Sequence, residues 1–150
     1  MNSYVCGFFF NSAKDQVLLV LKAKPDWQKG KLNGIGGMVE FEEHPIEAMV
    51  REFKEETGIT TKSDDWNLKV VLTGPESSWK VYFYSSVCYS CRNLEMLLTE
   101  EVRTKEVEPI YPVDLPLLPL VNKIDNLNWL IPLCLSKTEE FPIFIRDTTK

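Results

Sequence analysis

Glu52, Glu55 and Glu56 fall on little more than one helical turn, immediately before Thr57 and Gly58. At 3.6 residues per turn, positions three and four apart share one face, and like charges stacked there repel. The other side of the same segment carries Ile46, Met49, Val50 and Phe53 in an i, i+3, i+4, i+7 pattern. A helix of this kind has to lay its apolar face on a larger body. Its acidic face is either a solvated run of charge that costs stability or a place that holds a cation. Carboxylates on a rigid element, with positions left open for phosphate oxygens, are a common way of holding Mg²⁺ in phosphoryl chemistry. Proline suits a first helical turn, so the helix is predicted to start around Pro45. Gly58 suits a left-handed cap at its end. Glu47 and Arg51 stand one turn apart and are able to pair.

The chain has 150 residues, which predicts one domain over 1–150 with room for a sizeable core. Its net charge is −5, and only 17 residues are Lys or Arg against 22 Asp or Glu. That argues against a nucleic-acid polymer as the main partner, since such binding rests on clustered basic residues. A small phosphorylated ligand is compatible with this charge if a metal offsets it locally. The apolar stretches Tyr4 to Phe10 and Trp129 to Leu135 are too short for a membrane span. No basic flank of a signal peptide precedes the first. The expectation is a soluble, cytoplasmic protein, monomeric or homodimeric. Cys88 and Cys91 have C-x-x-C spacing, but no second pair follows and His44 is the only histidine. Thiols are expected there, not a zinc site.

The run from Gly37 to Ile59 reads GMVEFEEHPIEAMVREFKEETGI. Gly37 is followed after five residues by Glu43, and after seven more by Arg51-Glu52-Phe53-Lys54-Glu55-Glu56-Thr57-Gly58-Ile59. This resembles the signature of the Nudix hydrolases, Gly-x5-Glu-x7-Arg-Glu-U-x-Glu-Glu-x-Gly-U, with every fixed position filled. The resemblance implies an α/β/α sandwich, a mixed β-sheet between helices, with the motif as a loop–helix–loop. It implies Mg²⁺- or Mn²⁺-dependent hydrolysis of a nucleoside diphosphate linked to a further group. Carried over residue by residue, Glu52 and Glu56 are the core metal ligands and Glu55 joins them. The Gly36 carbonyl is an additional oxygen ligand. Glu43 pairs with Arg51 and is structural, as is Gly58. The general base is a motif glutamate or a later acid. Lys105-Glu106-Val107-Glu108-Pro109 resembles the segment that carries the later one, making Glu106 the candidate, with Glu100, Glu101 and Glu108 as substitutes.

Around the motif, Tyr4 to Phe10 and Gln16 to Leu21 read as a strand pair across a polar turn. Leu32-Asn33-Gly34-Ile35-Gly36-Gly37 reads as a glycine-rich segment where backbone approaches a ligand closely, with Gly37 at the phosphates. Trp66 to Thr73 and Trp79 to Cys88 read as strands broken at Gly74-Pro75, and Glu106 to Val113 as a short strand. Asp125 to Leu133 reads as a capped helix with Pro132 in its first turn or at a kink. Phe141 to Ile145 reads as an edge strand.

The substrate is less defined. Asn33 to Gly37 resembles the Asn-Gly-x-Gly-Gly stretch of the MutT-like oxidised-purine nucleoside triphosphatases, where the asparagine reaches the base. Asp125 and Asn126 resemble the base-reading segment of that group. Met38 departs from the lysine common there, and Asn126 from a second aspartate. Pro75, 16 residues beyond Ile59, resembles a proline of the ADP-ribose pyrophosphatases, or else serves a hairpin turn. Trp27, Trp79 and Tyr84 are candidates to stack on a base, or else core residues. A non-catalytic nucleotide-binding module is the third reading. Such modules typically lose motif glutamates, and here all are present.

Overall fold

A computed structural model describes residues 1–137 and 141–148. One mixed sheet runs through the molecule. Its strands are β1 (Asn2–Phe10), β2 (Gln16–Leu21), β3 (Leu32–Asn33), β4 (Ile35–Met38), β5 (Asn67–Thr73), β6 (Trp79–Val87), β7 (Ile110–Asp114) and β8 (Ile143–Arg146). The helices are α1 (Pro45–Thr57), a single turn α2 (Glu100–Arg103) and α3 (Leu127–Cys134).

β1 is the hub. It pairs in parallel with β6 along its whole length and antiparallel with β4 over Tyr4–Gly7. Beyond Gly7 the β4 side of β1 is continued by β2, through Phe10 and Val17. β2 then diverges to pair with β7 on one side and β3 on the other. β5 and β8 complete the far edge, β8 running parallel to β5.

Both faces of the sheet are covered, which accounts for the unbroken apolar runs of β1 and β2. Side chains alternate along a strand. Val5 and Phe9 of β1, with Leu18 and Val20 of β2, share a core with Met49 and Phe53 of α1. Cys6, Phe8 and Phe10, with Val17 and Leu19, share the other core with Leu127, Leu130 and Ile131 of α3. This is the α/β/α sandwich expected from the sequence. Phe53 anchors α1 on the sheet, its ring centroid 4.9 Å from that of Phe9 and 5.1 Å from that of Trp66. Truncating such a side chain costs about 3–5 kcal/mol.

Several expectations need correction. The glycine-rich segment forms strands β3 and β4, paired with β2 and with the edge of β1. The predicted strand from Glu106 begins only at Ile110, and 106–109 is loop. Pro132 stands inside α3, beyond its first turn. Cys88 and Cys91 form a disulfide and are not free thiols. Tyr84 is buried in the α1-side core, and the half-buried Trp79 indole lies over the Cα of Gly74. Among the described residues, no helix is long and apolar enough to cross a membrane.

Candidate active site

α1 presents the acidic face. It begins at Pro45, where the Glu47 carboxylate accepts from the His44 amide at 3.1 Å. Glu47 therefore serves the helix start, and Arg51 takes other partners. The helix ends as expected, with Gly58 left-handed at φ 79° and its amide donating to the Lys54 carbonyl at 2.8 Å.

Arg51 organises the acids. Its Nε and Nη2 donate to the two Glu43 oxygens at 2.8 and 2.9 Å, a bidentate pair. Nη2 also reaches the Met38 carbonyl at 3.0 Å, fastening α1 to the end of β4. Nη1 donates to Glu52 at 3.0 Å and, more loosely, to Glu55 at 3.4 Å. The hydrogen bonds from Arg51 hold the Glu43 carboxyl below its ordinary range. Glu43 is thereby committed to the guanidinium.

Glu52 differs from the other two acids on its helix face. Its side chain is 13% exposed, against 56% for Glu55 and 28% for Glu56. Burial pushes its carboxyl up, Arg51 pulls it back, and the charges of Glu55 and Glu56 push it up again. The two glycines of β4 have separate jobs. A Cβ on Gly36 would collide with the Val5 backbone of β1, so Gly36 allows the strands to meet. A Cβ on Gly37 would collide with the Glu52 carboxylate, so Gly37 makes the space in which that carboxylate sits.

The later loop comes to the same place. Lys105 Nζ lies 3.4 Å from the Glu56 carbonyl oxygen and 3.8 Å from its carboxylate, tying the loop to the last turn of α1. Glu106 is the next residue and is exposed. Glu108 is held elsewhere, accepting from the Ala23 amide at 3.0 Å with Lys22 at 3.3 Å. Burial pushes the Glu108 carboxyl up, but Ala23, Lys22 and Lys24 outweigh it and hold it below its usual range. Glu100 and Glu101 lie in the first turn of α2.

A cation fits this donor set. Glu52, Glu55 and Glu56 offer hard oxygens on one helix face, and Gly37 leaves room for the most buried of them. Among the described residues, no three such groups are already gathered at coordination spacing. Arg51 and Lys105 hold the carboxylates instead.

A second group of residues lies at β3. Asn33 Nδ2 donates to Gln28 Oε1 at 3.0 Å, and Asn33 Oδ1 accepts from the Gly34 amide at 2.7 Å. The Cys6 thiol lies 3.9 Å from the same oxygen. Burial pushes that thiol up to about 12, so it stays protonated as a weak donor. The neighbouring Leu32 exchanges backbone hydrogen bonds with the C-terminal segment: its amide donates to Asn122 and its carbonyl accepts from Ile124. Asp125 and Asn126 follow directly, Asp125 exposed and Asn126 half-buried at the start of α3. The sequence reading missed Lys105 and Gln28. Lys105 has no local signal because its partner, Glu56, lies 49 positions away; Gln28 meets Asn33 only through the fold of the short loop between them.

The Nudix domain model matches residues 2–126, and the chain belongs to the Nudix family. The fold is similar to that of a mutator MutT protein from Bacillus halodurans, with TM-score 0.69 and 18% identity over 99% of this chain and 91% of that one. It is also similar to MutT described from Aliivibrio salmonicida and Vibrio cholerae, with TM-score 0.64 and 21% identity over 89% and 96% of the two chains. The Nudix domain of Shewanella oneidensis NrtR, solved with ADP-ribose, gives TM-score 0.65 and 13% identity over 87% and 84%. Membership of the family carries its general chemistry, hydrolysis of a nucleoside diphosphate linked to another group.

Proposed function

We propose that this protein is a Mg²⁺- or Mn²⁺-dependent pyrophosphohydrolase of nucleoside triphosphates, with oxidised purine (d)NTPs as the preferred class. In this reading Glu52, Glu55 and Glu56 hold the metal, with the Gly36 carbonyl as a further oxygen. When bound, the metal offsets phosphate charge and acidifies an attacking water. Arg51 aims Glu52, and Gly37 leaves it space. Glu106 takes the proton from the water, from a loop that Lys105 ties to Glu56.

One observation carries the choice of substrate: the pairing of Leu32 with Asn122 and Ile124. It runs the backbone just before Asn33 alongside the segment that leads into Asp125 and Asn126, which supports a base site drawing on both. Side-chain amides and carboxylates read purine edges by hydrogen bonds. Trp27, 64% exposed and next to Gln28, supplies an aromatic face there. The sequence feature favouring ADP-ribose has a structural explanation. Pro75 opens the tight turn Pro75–Ser77 between β5 and β6.

The experiment is a nucleotide panel with Mg²⁺: oxidised and normal (d)NTPs, ADP-ribose, dinucleoside polyphosphates and FAD. The expected result is fastest turnover of an oxidised purine triphosphate. A preference for ADP-ribose over every triphosphate overturns this choice. No turnover of any compound assigns the chain to binding without catalysis.

A further inference from the structure

The acidic face of α1 meets two cations, and they are bound in different ways. Arg51 is committed, with a bidentate grip on Glu43 and a further bond to the Met38 carbonyl. Lys105 is not. It arrives from a loop 49 positions away and stands off the Glu56 carboxylate at 3.8 Å, with the two side chains 30% and 28% exposed. A contact this long, between partly exposed side chains, is weak and exchangeable. Lysine is also a flexible point charge, able to change partners without rebuilding its surroundings.

An ammonium and a divalent ion repel each other and compete for the same carboxylate. We propose that Lys105 is a substrate-positioning residue: it neutralises Glu56 in the resting protein, yields that carboxylate to the metal, and then meets the diphosphate of the substrate. The inference rests on the reading of Glu56 as a metal ligand. The released ammonium stays tethered beside the site, where a polyphosphate is the strongest anion it can meet. A guanidinium at position 105 retains the charge and reproduces the behaviour.

The test compares wild type, Lys105→Met and Lys105→Arg by calorimetry without turnover. The probes are Mn²⁺ alone, then methylenediphosphonate, a non-hydrolysable diphosphate, in saturating Mn²⁺. Lys105→Met should bind Mn²⁺ about two- to fivefold more tightly, the range of an exposed ion pair. It should bind the diphosphonate about fivefold or more weakly, having lost a charge-assisted contact. Lys105→Arg keeps the charge and should move both affinities back toward wild type. Unchanged Mn²⁺ affinity in Lys105→Met overturns the proposal. So does unchanged diphosphonate affinity. A wild type that binds no Mn²⁺ contradicts the metal reading itself, a separate outcome.

Discussion

Replacing either β4 glycine by alanine adds the same methyl group, yet the two substitutions should fail in different ways. At Gly36 the new Cβ would lie 2.6 Å from the Val5 carbonyl carbon and 2.9 Å from the Cys6 Cα. These are backbone atoms of the central strand, paired with β6 on its other side, and they have nowhere to go. Overpacking typically costs about 1–3 kcal/mol, and a fixed backbone obstacle belongs at the upper end. For a domain of this size about 3 kcal/mol lowers Tm by roughly 6–12 °C. At Gly37 the Cβ would lie 2.7 Å from Glu52 Oε2. That obstacle is the end of a flexible side chain, which turns aside, so Tm should move by less than about 3 °C. The displaced carboxylate is the cost. Disturbing a metal ligand's surroundings typically lowers affinity about 10- to 100-fold. Thermal melts and Mn²⁺ calorimetry on both variants decide the matter. A Gly37→Ala protein with wild-type Mn²⁺ affinity, or a Gly36→Ala protein with wild-type Tm, would refute the division of labour between these residues.

Arg51→Ala removes the shared partner of Glu43 and Glu52 and should cost about 2–3 kcal/mol at neutral pH, read as a lower Tm. The Glu43 carboxyl is depressed in the folded state, so its stabilisation is present above the unfolded value of about 4.3. It is lost as pH falls through the lower folded value, so the gap between wild type and Glu43→Gln should close in acid melts. A gap that persists at the lowest pH argues that Glu43 acts through shape and not charge. Asn33→Ala and Asp125→Ala should blur discrimination among bases, each contact accounting for about 1–3 kcal/mol, while turnover at saturating substrate survives in part. Equal losses on every nucleotide in kcat/KM comparisons would remove them from the base site.

The motif helix was readable because its signals are local. Pro45, the apolar spacing of Met49 and Phe53, and Gly58 all lie within or beside one element, and each does the expected job. The partnership of Glu43 and Arg51 came from the family resemblance, and the bidentate geometry agrees with it. The strand character of Ile35–Met38 was not readable, because glycine carries no strand signal and the pairing partner is Tyr4–Gly7, far upstream. For the same reason nothing local distinguishes Gly36, which faces backbone, from Gly37, which faces Glu52. The contact of Lys105 with Glu56 and the pairing of Leu32 with Ile124 arise only when distant segments close on one another. Loop 106–109 was read as part of the strand, but Glu108 is left-handed at φ 52°, so extended backbone resumes only at Ile110.

If the acidic face of α1 performs metal-dependent hydrolysis, Glu56→Gln should stop it while leaving the fold intact. The substitution keeps the size of the side chain and removes one carboxylate charge from a group of like charges. The metal-free fold should therefore melt within a few degrees of wild type. Turnover of the best nucleotide from the panel, measured across a Mg²⁺ titration, should fall by about 100-fold or more even at saturating Mg²⁺. Chelation of wild type should abolish activity, and Mg²⁺ should raise its Tm by mass action. Near-wild-type turnover by Glu56→Gln at saturating Mg²⁺, with the fold intact, would contradict the account.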